Sequence, residues 1–269
     1  MLTSFLVLLF FGCLTGVTTV LFGFGGGFVT VPVVYGVLTA TARPGTGADA
    51  MHIAVATSAA VMVVNAVAAA LVQWRAGRLL RAYVWPLAGF IAVGAAAGSF
   101  AATLIGGTAL RLLFAAYLLV TITDSLFRKG FLTTAPRTVP TPLGRGTVTA
   151  GGLGIGLVAA GLGVGGSVMT VPLLRRSGLP MADATATANP LSVPVALAAT
   201  LVYALAPTAS AATGRLGYFD PTACAALLLG SLPTIAVARR VTGRVPDRVH
   251  SAAYVGLLVV VLIVVAVGV

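Results

Sequence analysis

Glutamate is absent from the 269-residue sequence, and five aspartates are its only carboxylate side chains. Charged residues make up 8% of the chain, whereas a soluble domain carries roughly a quarter. The sequence also lacks a carboxylate pair, metal-ligand spacing, a nucleophile constellation and a nucleotide-binding loop. Cys13 and Cys224 both lie in apolar segments, which is more typical of buried small side chains than of a disulfide or metal site. These absences argue against a soluble fold, an enzyme, intrinsic ATP coupling, and a resident cofactor or metal.

Long apolar runs dominate what is present, and about 20 apolar residues suffice for a helix to cross a bilayer. Eight runs qualify: Leu2–Phe22, Ile53–Trp74, Tyr83–Ile105, Leu110–Phe127, Thr147–Leu162, Ala184–Ala206, Thr222–Val237 and Ser251–Val269. The first run lacks the basic n-region of a signal peptide. The net charge of +11 is scattered over short loops, which argues against a nucleic-acid partner. The pattern predicts an all-α, polytopic membrane protein with the lipid bilayer as its partner.

An internal repeat divides the chain. The stretch from Gly23 to Pro32 recurs from Gly163 to Pro172, and shorter matches follow in the same order, as in transporters built by duplication. These are Ala56-Thr57-Ser58 with Ala186-Thr187-Ala188, Gly77-Arg78-Leu79 with Gly214-Arg215-Leu216, and Arg111 and Tyr117 with Arg248 and Tyr254. We therefore predict an N-terminal half over residues 1–127, a cytoplasmic linker over 128–146 and a C-terminal half over 147–269.

The distribution of basic residues favours an inverted relation between these halves. Eight single crossings would make the halves parallel and divide the basic residues about evenly between the two sides, against the positive-inside rule. If each glycine-broken run forms a hairpin instead, most basic residues fall on one side and only Arg43, Arg111 and Arg215 lie opposite. Each half is then a glycine-broken helical hairpin followed by three transmembrane helices. The sequence does not decide whether the broken segments are re-entrant or spanning.

The duplicated glycine clusters are the strongest candidates for a functional site. Several glycines in a row break a helix, and a broken backbone at membrane depth needs surrounding protein or a water-filled cavity. A half-helix that starts after each cluster would direct free N–H groups and its positive dipole end toward the break, which favours an anion. Close packing of helices through small residues is the alternative.

Hydroxyl and amide side chains could supply further donors. A polar set lies within apolar runs at Thr57, Ser58, Asn65, Thr187, Asn189 and Ser192, although interhelical hydrogen bonds explain such residues equally well. The predicted substrate-binding residues are Gly23, Gly25, Gly26, Gly27, Thr30, Thr57, Ser58, Gly163, Gly165, Gly166, Ser167, Thr170, Thr187 and Asn189. We predict no catalytic residues and no metal ligands.

The Gly-x-Gly-Gly-Gly-x-x-x-x-Pro element of the first half, its near copy in the second, and the Thr-Ser-bearing helix that follows resemble the TauE/SafE sulfite exporter family. The resemblance covers nearly the whole chain. It implies a secondary transporter in the cytoplasmic membrane that moves sulfite, a sulfonate or a related organosulfur anion, generally by export. Ser167 replaces the third glycine of the second cluster, and Ala188-Asn189 stands where the first half has Ser58-Ala59, so the substrate stays open.

Three functions remain open at this point. The leading expectation is an alternating-access carrier of a small anion. An anion channel that uses the same donors is the second, and a non-transporting membrane partner protein is the third. The sequence does not specify the anion, the coupling ion or the direction of transport. It does not specify the oligomeric state either, so a homo-oligomer stays open.

Overall fold

The structure, a computed structural model, describes residues 2–41, 49–127, 143–206, 217–238 and 245–267 of the chain. These ranges form ten α-helices with no strand among them, which confirms the all-α prediction. The helices are α1 (Leu2–Phe22), α2 (Gly27–Ala40), α3 (Ala50–Arg75), α4 (Arg81–Thr103), α5 (Gly107–Phe127), α6 (Gly152–Gly161), α7 (Ser167–Arg176), α8 (Met181–Leu205), α9 (Pro221–Ala238) and α10 (Asp247–Val267). A π-helical turn, Thr147–Gly151, leads into α6.

Seven of the helices, α1, α3, α4, α5, α8, α9 and α10, are long and apolar enough to cross a membrane, which confirms the polytopic prediction. The apolar run Thr147–Leu162 differs from its prediction as a span. It consists of the π-helical turn and the ten-residue helix α6, whose combined 15 residues rise about 22 Å, less than the hydrocarbon core. The division at residues 128–146 stays a prediction, and residues 128–142 lie outside the described ranges, as do Arg43 and Arg215.

Helices α1 and α2 form a hairpin. Thr3 near the start of α1 and Thr41 just after α2 line one groove of about 440 Å³. Ser4 of α1 and Leu38 near the end of α2 line a second, smaller pocket. The two helices therefore run antiparallel on either side of the break at residues 23–26. This arrangement agrees with the hairpin expected for the first half, because α2 returns toward the end at which α1 begins.

The first helix of each half packs on a helix of the other half. Helix α1 packs on α9, and its counterpart α6 packs on α4. A Cβ atom at Gly12 would lie 2.5 Å from the Leu227 oxygen, and one at Gly152 would lie 2.9 Å from the Phe90 Cβ atom. Gly12 and Gly152 are equivalent in the two halves, and so are Leu227 and Phe90. Glycines thus let the backbones approach closely at matching positions of both contacts.

The central helices α3 and α8, which are equivalent in the repeat, run antiparallel. His52 near the start of α3 stacks on the ring of Tyr218 at 5.1 Å, and Tyr218 lies 6.4 Å from the ring of Tyr203 near the end of α8. At the opposite end, Arg78, which follows α3, interacts electrostatically with Asp183 near the start of α8. Burial, helped by the nearby Asp49 carboxylate, raises the pKa of the Tyr218 phenol.

Different polar contacts hold the C-terminal parts of the short helices α2 and α7. At the end of α7, the buried Arg175 pairs with Asp247 of α10 at 2.9 Å, and the more exposed Arg176 pairs with Asp124 of α5 at 2.9 Å. Near the end of α2, the Tyr35 hydroxyl accepts a hydrogen bond of 3.4 Å from Arg111 at the start of α5. The two short helices are therefore anchored near opposite ends of α5.

Candidate functional site

The first helix break depends on glycine for its backbone conformation. Gly23, Gly25 and Gly26 have φ angles of 77°, 61° and 89°, a region that L side chains rarely adopt. Helix α1 ends at Phe22, immediately before this sequence, and α2 begins at Gly27, immediately after it. The cluster therefore ends one helix and starts another, as the sequence predicts.

The second break needs glycine more for space than for conformation. Only Gly163 has a positive φ there, at 67°, and Gly166 adopts a right-handed helical conformation. A Cβ atom at Gly165, however, would lie 2.3 Å from the Phe24 carbonyl oxygen of the first break. Ser167 is the first residue of α7, as Gly27 is of α2. A Cβ atom at Gly27 would lie 2.7 Å from the Gly163 carbonyl oxygen, so the first half needs glycine where the second holds serine.

The structure brings the two breaks into direct contact. The Ser58 hydroxyl of α3 lies 3.0 Å from the Gly27 carbonyl oxygen and 2.9 Å from that of Gly163. A Cβ atom at Gly27 would also lie 2.7 Å from the same Gly163 oxygen. The single hydroxyl proton of Ser58 is therefore within reach of both carbonyl oxygens and is shared between them or bonds to one at a time, which links both breaks to α3.

Each break packs against a helix of the other half, at positions that are equivalent in the repeat. Gly23 packs against Thr185 of α8, and its counterpart Gly163 packs against Val55 of α3; the repeat aligns these two neighbours as well. The match extends to the next glycines: a Cβ atom at Gly26 would meet Thr15 and Asn65, whereas one at Gly166 would meet the aligned residues Ile155 and Val195. The first break is therefore polar where the second is apolar.

The three predicted threonines with observed partners use their hydroxyls within the protein. Thr30 donates to the Gly26 carbonyl oxygen at 2.9 Å, and Thr170 donates to the Gly166 carbonyl oxygen. Thr57 accepts a hydrogen bond of 3.2 Å from the backbone N–H of Asp220, at the start of α9. Thr30 and Thr170 therefore hold the glycine carbonyls that precede the two half-helices, while Thr57 contacts another helix.

Several fully buried polar atoms have no hydrogen-bond partner within the described parts of the chain. They include the Ser167 hydroxyl, the Thr187 hydroxyl, both polar atoms of the Asn189 amide and the Asn65 amide nitrogen. Ser167 begins α7, and Asn189 lies on α8 between Ala188, which contacts Gly23, and Ser192, which contacts Gly165. Buried polar groups nearly always have a partner, so these atoms are available to a ligand.

Asn65 lies beside the first break, although the predicted substrate-binding residues omit it and the sequence places it only in the polar set. Its amide oxygen accepts a hydrogen bond of 2.7 Å from Ser231, and its amide nitrogen would lie 2.9 Å from a Cβ atom at Gly26. The sequence contains a signal for Asn65, since Asn65 and Asn189 are the only asparagines in the chain and polar residues inside membrane helices are functional candidates.

The electrostatics of the two breaks suit an anion held by neutral donors. The helix N-termini of α2 and α7 begin at the breaks, and such termini carry free N–H groups and a partial positive charge. In α2 the hydrogen bonds of the helix backbone begin with the Thr30 N–H, which bonds to the Gly26 oxygen at 3.1 Å. The N–H groups of the first turn come before this bond and have no partner within the helix. Within the described ranges, no group of three His, Cys, Asp or Glu side chains could hold a metal ion.

The comparison with known families agrees with this architecture. The family model described as Sulfite exporter TauE/SafE matches residues 8–265, nearly the whole chain. No curated protein and no solved structure matches the chain significantly. The matched region contains both breaks and all seven candidate spans except the first few residues of α1 and the last of α10. The chain belongs to the sulfite exporter TauE/SafE family and is a multi-pass transporter of the cytoplasmic membrane, not an enzyme.

Proposed function

We propose that the protein is a secondary transporter that carries a small sulfur-containing anion, such as sulfite or a sulfonate, by alternating access and in the direction of export. The anion binds where the two breaks meet. Its donors are the first-turn N–H groups of α2 and the side chains of Asn65, Ser167 and Asn189. In α7 the N–H groups of Val168 and Met169 already bond to the Gly165 and Gly166 carbonyl oxygens, so that helix contributes mainly the partial positive charge of its N-terminus. The family supports the class of substrate, and the helix breaks support the place of binding.

The observation that carries the proposal is a set of buried polar atoms without a partner, namely the Asn65 amide nitrogen, the Asn189 amide and the Ser167 hydroxyl, near two helix breaks that contact each other. Packing alone explains the glycines but not these polar groups, since an unsatisfied buried donor costs about 1–3 kcal/mol. A non-transporting membrane protein would have no reason to retain them. An anion that occupies the breaks would satisfy the donors during transport.

The enclosure of the breaks favours a carrier over a channel. Every residue from Phe22 to Pro32 and from Gly161 to Val168 is buried, so an anion reaches the breaks only when helices move. The antiparallel pairing of α3 with α8 and the exchanged contacts of α1 and α6 support two inverted halves. In transporters of that design, one half rocks against the other around a central site.

Replacement of Asn189 by alanine tests the binding site. Because the Asn189 amide bonds to no other described residue, Asn189→Ala should change the melting temperature little. It should lower sulfite flux into proteoliposomes, at concentrations below saturation, by about tenfold to hundredfold, since a hydrogen bond to a charged group is worth about 1.5–3 kcal/mol.

Thr123→Ala is the matched control, because the exposed Thr123 hydroxyl bonds only to its own helix. Wild-type flux in Asn189→Ala, and again in Ser167→Ala/Asn189→Ala, would overturn the proposed site. Ion conductance without substrate saturation in the wild-type protein would instead identify a channel.

A further inference from the structure

The site at the breaks draws its positive character from neutral groups. The polar side chains around it are uncharged and include the hydroxyls of Ser58 and Ser167 and the amides of Asn65 and Asn189. In the described ranges, the basic residues of the short helices lie at the end of α7, where Arg175 follows Ser167 by about 12 Å along the helix axis. Arg175 is also engaged by Asp247 at 2.9 Å. No full positive charge therefore faces an anion at the breaks from α2 or α7.

The two helix N-termini together match one negative charge. A helix N-terminus is equivalent to about half an elementary charge. Ser58 links Gly27, the first residue of α2, to Gly163 of the break that leads into α7, and a Cβ atom at Gly165, two residues before α7, would lie 2.3 Å from the Phe24 carbonyl oxygen. The sum of the two N-termini is about one elementary charge. The hydrogen-bond donors add polarity but no further charge.

A second negative charge on the ligand would be costly at this buried site. The Born cost of moving an ion out of water scales with the square of its charge, so a dianion costs about four times as much as a monoanion of the same size. We propose that the transporter takes singly charged oxyanions, namely hydrogen sulfite or a monovalent sulfonate, and rejects the sulfite and sulfate dianions. This inference rests on the proposed function and specifies its substrate class.

The proton of hydrogen sulfite then crosses the membrane with the substrate. A separate proton-carrying side chain is unnecessary for that movement. The phenols nearest the second break donate to its backbone: Tyr254 to the Val168 oxygen and Tyr203 to the Gly161 oxygen, each at 2.9 Å. The histidines and Asp220 engage other parts of the protein: the His250 ring contacts the Leu21 carbonyl oxygen, the His52 ring contacts that of Ala102, and Asp220 caps α9. A free imidazole titrates near neutral pH, so the test must separate the two histidines from the substrate.

The test measures initial flux into proteoliposomes at fixed total sulfite across a pH series that brackets the ionisation of hydrogen sulfite. Flux through protein-free liposomes is subtracted to remove diffusion of sulfur dioxide. Above that ionisation, sulfite flux should fall about tenfold per pH unit, as the hydrogen sulfite fraction does. Methanesulfonate, a monoanion throughout the series, should show no such fall, and excess sulfate should not compete.

The same pH series in His52→Gln/His250→Gln identifies the source of the slope. A fall that persists without the two imidazoles belongs to the substrate and supports the proposal. Sulfite flux that stays constant with pH, a slope that disappears in the double variant, or effective competition by sulfate would each overturn it and leave the proposed transport function intact. Absence of saturable flux for every sulfur anion tested would instead overturn the proposed function.

Discussion

At the scale of single residues, the hydroxyl of Ser58 has a structural use that its residue type does not disclose. It lies within hydrogen-bond distance of the Gly27 and Gly163 carbonyl oxygens, which belong to different halves. Ala188 occupies the equivalent position of α8 and contacts Gly23 without a hydrogen bond from its side chain. One serine on α3 therefore fastens both breaks, and the second half has no counterpart for it.

Substitution of Ser58 by alanine should destabilise the protein, in contrast to the substitution of Asn189. Ser58→Ala leaves two buried carbonyl oxygens without this donor, which should cost about 1–3 kcal/mol. Thermal unfolding in detergent should show a lower melting temperature for Ser58→Ala and an unchanged one for Thr123→Ala, whose hydroxyl is exposed on α5. An equal melting temperature for Ser58→Ala and the wild type would show that the contact adds nothing to stability.

Residue identities predict the chemistry available at the breaks but not its use. The sequence indicates that hydroxyls and amides accompany the glycines, and the structure places Ser58, Ser167 and Asn189 there. The sequence does not indicate that the hydroxyls of Thr30 and Ser58 donate to backbone carbonyls. A hydroxyl can bond to its own helix, to another helix or to a ligand, and only the folded geometry selects among these.

At the scale of the elements, the glycine clusters set the helix boundaries, and the sequence predicts this well. Breaks at residues 23–26 and 163–166 follow from the cost of glycine in a helix, and α2 and α7 begin where expected. The apolar run Thr147–Leu162 is different, because composition alone does not predict that it forms a π-helical turn and a short helix. Gly152 and Gly156 bring α6 close to Phe90 and Ile91 of α4, which is a tertiary contact.

Substitution of Gly165 by alanine should prevent the breaks from meeting. Its Cβ atom would lie 2.3 Å from the Phe24 carbonyl oxygen, too close for any real contact, and neither atom belongs to a flexible side chain. We expect Gly165→Ala to abolish sulfite flux and to lower the melting temperature. Gly154→Ala on α6 is the matched control, because a Cβ atom there meets nothing within 4 Å; wild-type flux in both variants would contradict this account of the breaks.

At the scale of the whole molecule, equivalent contacts join the two halves. The α1–α9 contact matches the α6–α4 contact, and α3 pairs with its own counterpart α8. The repeat in the sequence predicts two related halves but not which helices they exchange, because an apolar helix face in a bilayer specifies its partner only through packing. The inverted orientation is a prediction from the basic residues of the loops, and many of those residues lie outside the described ranges.

Labelling of introduced cysteines tests the inverted orientation directly. Thr41, just after α2, and Arg176, at the end of α7, follow equivalent short helices and are exposed. In a Cys13→Ala/Cys224→Ala background, an impermeant thiol reagent added to intact cells should label Thr41→Cys and should reach Arg176→Cys only after permeabilisation. Loss of the exposed Arg176–Asp124 pair costs about 0–1 kcal/mol, so folding should persist. Parallel halves would instead place both cysteines on the same face of the membrane, because equivalent helix ends would then share one side.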